Sequence, residues 1–296
     1  MSVRITQSMM NSTLLSDLNN VTNQLSKTQQ RLSSGRQLTQ PSDDPFATSK
    51  ALELRAQLAN NQQYQRNVSE ASSWQDVADT ALSSISDSVQ RIKALVVQGA
   101  SDTASNDRGP IIGEITQLVD SIKTDANSQY AGQYVFSGSA TTTQPYQLGA
   151  SDAYSGNTEV VQRQIGPNVN VSLNQPGSSI IGDSSSGLLA TLRGILTDLQ
   201  NGNTAALGTS DLSALDTAND TIINSQAIVG AMSNRLSTAT NRLQQLAQAT
   251  TSQLSDTEDA DMAQTLVDYS TQQAIYQSAL KSGAQMIQPS LMDFMN

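Results

Sequence analysis

The sequence contains no cysteine and no histidine. Without cysteine there is no disulfide framework and no thiol nucleophile. Without histidine there is no Ser-His-Asp or Cys-His triad, no zinc-imidazole site and no haem-histidine ligation. Aromatic residues are scarce, with Trp74 the single tryptophan, and apolar residues make up 37% of the 296 positions. That share lies below the usual one for a globular chain, so long helices joined along narrow seams suit the sequence better than a thick core. Sixteen basic residues face 26 acidic ones, a formal charge of −10. No basic stripe is present to meet nucleic-acid phosphates or an anionic membrane surface. No apolar run is long enough to span a bilayer. The opening MSVRITQSMMNSTLL has no apolar core or small-residue cleavage site, so no secretory signal peptide is expected.

Apolar residues spaced alternately three and four apart are abundant. Asn11, Leu14, Leu18, Val21, Leu25, Thr28 and Leu32 fall on one stripe of a helix, with the rest of that segment polar. Gly35 suits the end of this helix. Pro41 and Pro45 then bracket Ser42, Asp43 and Asp44. Proline disfavours α conformation in the residue before it, which places Asp44 as the N-cap and Pro45 at the first position of the next helix. Asp43 and Asp44 could also be read as a metal or acid/base pair. The proline placement favours turn and cap.

A second stripe runs through Val68, Ala71, Gln75, Ala78, Leu82, Ile85, Val89, Ile92 and Val96. Gly99 and SDTASNDRGP break it. Pro110 suits the first turn of a further helix with Ile111, Ile115, Leu118 and Ile122 on one face, antiparallel to its predecessor. From about Tyr130 the composition shifts to Gly, Pro, Tyr and Val. Alternation over 159–165 and 168–173, with Gly166-Pro167 between, predicts a hairpin in a small β region that leans on the helices. Leu188, Leu192, Ile195, Leu196 and Leu199 mark a short helix, and NGNTAALGTS reads as a loop. The longest stripe is Leu215, Ala218, Ile222, Ser225, Val229, Met232, Leu236, Ala239, Leu243 and Leu246, the expected partner of the 68–96 stripe.

The last break is SDTEDAD, residues 255–261. Ser255 and Glu258 have the spacing of a capping box. A calcium loop would need a glycine and a closing glutamate that are absent. The final helix carries Met262, Leu266, Tyr269, Gln273, Tyr276, Leu280, Gly283 and Ile287, with Leu291 and Phe294 beyond and Pro289 bending its last turns. The expected fold is mainly α, a long antiparallel coiled-coil helical bundle with a small inserted β region. Its segments are a terminal helix at 1–40, helical core at 41–129, β-rich insertion at 130–186, helical core at 187–256 and a terminal helix at 257–296. The two end helices could pair within one molecule, or stay loose until copies pack together.

RLSSGRQLTQPSDDPFATSKALELRAQL (31–58), NVSEASSWQDVADTAL (67–82) and the closing helix resemble the bacterial flagellin family. ANSQYAGQYVFSG (126–138), AIVGAMSNRL (227–236), EDADMAQTLVDYSTQQAIYQSALK (258–281) and the ending SLMDFMN resemble its hook-associated branch more specifically. The resemblance implies an extracellular structural subunit, with no cofactor, exported without a cleavable signal. It implies self-association in a helical ring, another hook-associated protein on the hook side, flagellin on the filament side and a cytosolic export chaperone. The implied assembly residues are Leu14, Leu18, Val21, Leu25 and Leu32 at one end. At the other they are Met262, Leu266, Tyr269, Tyr276, Leu280, Ile287, Leu291 and Phe294. The alternatives are a bulk filament flagellin, a carboxylate enzyme using Asp43 and Asp44, and a coiled-coil adhesin or effector. No phosphate loop, metal-ligand spacing or nucleophile–base pair supports the enzyme.

Overall fold

The computed structural model describes residues 7–101, 108–149 and 151–287. Its elements are α1 (Gln7–Ser34), α2 (Pro45–Gly99), α3 (Gly109–Ala126), β1 (Gln129–Tyr130), β2 (Gln133–Tyr134), β3 (Gln162–Gly166), β4 (Val169–Ser172), α4 (Gly177–Ile180), α5 (Gly187–Asn201), α6 (Thr204–Gly208), α7 (Ser210–Glu258) and α8 (Met262–Ile287). They fall into two units, one of residues 61–246 and one of 1–60 with 247–296. This division lies within α2 and α7, inside the sequence breaks at 41–44 and 255–261. The mainly helical architecture with a small β insertion is the one expected from the stripes.

In the central unit the α2 stripe is buried throughout from Val68 to Val96. Most of the α7 stripe is buried too, from Leu215 to Leu243. Polar contacts fix the direction of this pair. Asn61 donates to the Leu243 carbonyl at 3.0 Å, Ser86 to Asn219 at 3.4 Å, and Lys93 pairs with Asp216. Partner numbers fall as α2 advances, so the helices are antiparallel. Each fully buried Val, Leu or Ile contributes about 1.5–3 kcal/mol. Leu246 departs from the pattern, since it is half exposed. Gly99 at the end of α2 lies beside Ile111 of α3, and Arg91 further back on α2 meets Glu114 at 2.6 Å, so α3 runs antiparallel to α2. Ile111, Ile115 and Ile122 are buried beneath it.

Helix α5 buries Leu188, Leu192, Ile195, Leu196 and Leu199 as anticipated. The stretch after it is a correction: residues expected to form a loop include helix α6. Asn203 caps that helix by accepting from Ala206 N, and Leu207 is fully buried. One buried leucine and one cap suffice for a single turn packed on a core.

The β region forms two separate two-stranded antiparallel sheets. The first, β1–β2, closes through Ala131 and Gly132, both at positive φ, as tight hairpins require. In the second, β3–β4, the turn runs through Pro167 and Asn168 with a bulge between Gln164 and Gly166. Both lean on α2. Asn67 donates to the Gln164 carbonyl at 2.7 Å, Arg163 pairs with Glu70 at 2.6 Å, Gln75 donates to the Leu173 carbonyl, and Tyr130 lies edge-on to buried Trp74 at 6.1 Å.

Three polar side chains organise the loop between the hairpins. Lys123 is fully buried, and its ammonium meets the carbonyls of Gly149 at 2.6 Å and Ser151 at 2.9 Å. The same ammonium pairs with Asp152 at 2.6 Å. Arg193 on α5 reaches the other oxygen of that carboxylate.

Nearby, Tyr146 is buried and donates to the Gly182 carbonyl at 2.7 Å. Tyr154 donates to the carbonyls of Phe136 and Asn157. Burial pushes the Tyr154 hydroxyl up to about 12. Burial, followed by the nearby Tyr154 and Asp183, pushes Tyr146 higher still. An unfolded tyrosine ionises near pH 10. A raised folded value gives stability that is complete below that pH and is lost as pH rises towards 12. The central unit should therefore lose stability steeply above about pH 10, followed by Trp74 fluorescence. Replacing Tyr146 with Phe should remove about 1–3 kcal/mol at neutral pH by leaving the Gly182 carbonyl unpaired, and should flatten the alkaline limb.

Candidate assembly interface

The terminal unit is built on α1 and α8, which lie side by side. Leu14, Leu18, Val21, Leu25 and Leu32 are half-buried and Thr28 is buried on α1. Tyr269, Gln272, Tyr276 and Ala279 are half-buried on α8, with Thr265 and Gly283 buried. These α8 positions repeat four and three apart, as a coiled-coil seam does. Thr28 donates to Gln272 at 2.5 Å, and Gly283 lies against Leu14. Low numbers on α1 meet high numbers on α8, so the pair is antiparallel. Of the two arrangements open from sequence, the single chain adopts the paired one.

At Gly283 the two helices approach closely. A Cβ placed on it would sit 2.9 Å from Leu14 Cδ2, the movable tip of a flexible side chain. An alanine there gains about 1 kcal/mol of helix propensity, which offsets the small shift of Leu14. Gly283→Ala should therefore be near neutral. Gly283→Leu should force the helices apart and cost about 1–3 kcal/mol, seen as lower helicity and faster amide exchange in α1.

The joint between the end helices and the rest of their unit is pinned. Gly35 closes α1 in the left-handed region at φ +69°, its N–H donating to the Arg31 carbonyl at 2.9 Å. Arg36 forms an antiparallel bridge with Asp259. Asp43 and Asp44 have the turn and cap roles. Asp43 accepts from Lys27 at 3.2 Å, Thr39 at 3.0 Å and Gln40 N at 3.1 Å. Those bonds, Lys27 first and Thr39 next, hold its carboxyl down at about 2. Asp44 accepts from Phe46 N and Ala47 N at 3.0 Å and caps α2.

The capping box expected at Ser255 and Glu258 is corrected. Helix α7 continues through both residues to Glu258. Asp261 is the cap of α8, accepting from Ala263 N at 2.9 Å and Gln264 N at 3.1 Å. The 3-residue spacing was present, but α7 keeps its own backbone ladder to its end, and the aspartate next to α8 takes the free N–H groups.

The proposed assembly residues divide into two sets. Leu14, Leu18, Val21, Leu25, Leu32, Tyr269 and Tyr276 line the seam within the chain. Met262, Leu266 and Leu280 lie on α8 outside it and are 46–57% exposed. Ile287 ends α8, while Leu291 and Phe294 lie outside the described residues. Val267 and Ile275 on α8 are also exposed, and sequence reasoning missed them because they break the single stripe. Thr265, Gln272 and Ala279 were missed because two are polar and one is small. Their signal was the four-three spacing around Tyr269 and Tyr276. Apolar residues therefore cover α8 beyond the face it gives to α1. A helix apolar on more than one face normally has more than one packing partner.

Among the described residues no group of acidic side chains could hold a metal ion, and no helix is long and apolar enough to cross a membrane. Residues 5–141 match the bacterial flagellin N-terminal helical region, and residues 212–295 the bacterial flagellin C-terminal helical region. Flagellar hook-associated protein 3 of Escherichia coli strain K12 is 27% identical over 281 residues, covering 87% of this chain and 88% of that protein. The flagellar filament 30.7 kDa core protein of Treponema maltophilum is 27% identical over 261 residues, 86% of each. The crystal structure of Bacillus cereus FlgL superposes with a TM-score of 0.59 at 24% identity, covering 69% of this chain and 99% of that one, a likeness of fold. With both terminal helical regions of flagellin matched and hook-associated protein 3 aligned along most of its length, the chain belongs to the flagellin family and is a structural subunit of the bacterial flagellum, not an enzyme.

Proposed function

We propose that this subunit sits extracellularly at the junction of hook and filament and joins to its neighbours through the outer faces of its end helices. The observation that carries the reading is that α8 pairs with α1 on one face while Met262, Leu266, Val267, Ile275 and Leu280 stay exposed on others. Exposed apolar surface of that extent marks an interaction site. The neighbours are further copies in a helical ring, another hook-associated protein on the hook side and flagellin on the filament side. Within the ring the contact is heterologous, one face of a subunit meeting a different face of the next. Ile287, Leu291 and Phe294 continue the contact towards the C-terminus. Before assembly the same apolar face is what a cytosolic export chaperone would cover.

The Treponema maltophilum core protein, as similar in identity as the hook-associated relative, supports bulk filament subunit as the second reading. Gold-labelled antibody on intact cells separates the two. One cluster where hook meets filament is expected. Label along the whole filament establishes the second reading, and unlabelled flagella overturn both.

A further inference from the structure

We propose that Glu258 is an electrostatic latch fixing the joint where α1 and α8 leave α2 and α7. Its side chain is the last on α7 and is 5% exposed. One carboxylate oxygen takes Arg55 from α2. The other takes Arg36 from the strap after α1, at 3.5 Å. Its backbone carbonyl accepts from Gln37 N at 2.7 Å, and two residues on Ala260 N donates to the Gly35 carbonyl at 2.9 Å. One residue thus binds α2, the strap and the α7–α8 joint together.

The asymmetry of burial makes this a latch rather than an ordinary ion pair. Both arginines remain substantially exposed, 42% for Arg55 and 51% for Arg36, so each can return to water at little cost. The carboxylate cannot, because it is enclosed. A buried charge stripped of its partner is strongly unfavourable, whereas an exposed one is not. The joint therefore closes only when both arginines have come to Glu258. Closure brings Gly35 and Ala260 into hydrogen-bonding register, which sets how α1 and α8 are aligned where they meet. The inference concerns the folded chain and holds whether the subunit occupies the junction or the filament.

Amide hydrogen exchange on the full chain tests it, read at Gln37 and Ala260. Glu258→Gln keeps the shape and the acceptor but removes the charge. Exchange at both amides should rise on the order of tenfold or more, with amides of 68–96 unchanged. Arg55→Gln touches neither amide and should raise both at least as much, because it leaves the enclosed carboxylate charged with Arg36 alone. The double variant should go no further than Glu258→Gln alone, because both substitutions open one latch. Unchanged protection of Gln37 and Ala260 in Glu258→Gln overturns the proposal, as does simple additivity. Should Glu258→Gln unfold the terminal unit, Arg55→Gln decides: protection at Gln37 equal to that of the unsubstituted chain refutes the latch.

Discussion

Leu280→Asp should reduce incorporation into the flagellum about a hundredfold or more while leaving the isolated subunit folded. Leu280 lies on α8 outside the seam with α1 and is 46% exposed in the single chain, so a carboxylate there stays in water and the α1–α8 pair persists. In the assembly proposed above, that position is covered by a neighbour's apolar surface. Moving an unpaired carboxylate into such a contact costs several kcal/mol even after relaxation, and about 1.4 kcal/mol is tenfold in affinity. Tyr276→Asp makes the complementary comparison, since Tyr276 is half-buried in the seam. It should separate α1 from α8 in the monomer as well as block assembly. Circular dichroism of the purified variants and immunogold counts on cells read the two effects apart. Normal incorporation of Leu280→Asp would remove α8's outer face from the assembly model.

Asp152→Ala should destabilise the central unit by about 3–5 kcal/mol, the range for leaving one member of a buried ion pair alone. Lys123 cannot reach water, and after the change its ammonium retains two carbonyls but no counter-charge. Arg193 is partly exposed and can turn outwards, so its share of the loss is small. For a unit of this size 1 kcal/mol moves the melting temperature by about 2–4 °C, and a fall of about 10 °C is expected. Lys123→Met should cost less, because Asp152 keeps Arg193. Thermal unfolding followed by Trp74 fluorescence gives the order of the two variants. If Lys123→Met proved the more damaging, the carbonyls of Gly149 and Ser151, left without their donor, would matter more than the unpaired charge.

Much of the helical architecture was legible because burial in a coiled coil repeats with the helix. The 68–96 stripe and most of the 215–246 stripe could be read directly, since nearly every position carries a side chain whose polarity reports its burial. Asp44 and Pro45 were equally plain, because few other residues fit a cap followed by a first turn. Ser255 and Glu258 were misleading for a related reason. Local spacing cannot tell a cap from the interior of a helix that tertiary contacts prolong. Helix α6 was hidden because one buried leucine among Ala, Asn, Thr and Gly has no period to show.

The candidate interface was legible in outline only. Sequence showed one stripe on α8 and could not say what would face it. The inner face depends on Thr265, Gln272, Ala279 and Gly283, whose side chains are polar, small or absent and so carry no apolar signal. The buried Lys123 and Asp152 are far apart along the chain and carry charges that sequence reasoning places at the surface.

The sequence by itself determined the long helices, the small β insertion and the absence of thiol and imidazole chemistry, since each follows from local period or composition. Only the tertiary structure decided that α1 and α8 pair, which α8 residues that pairing leaves exposed, and that Glu258 gathers two arginines from distant segments. Those depend on which of several equally periodic faces meet in space, and period alone does not distinguish them.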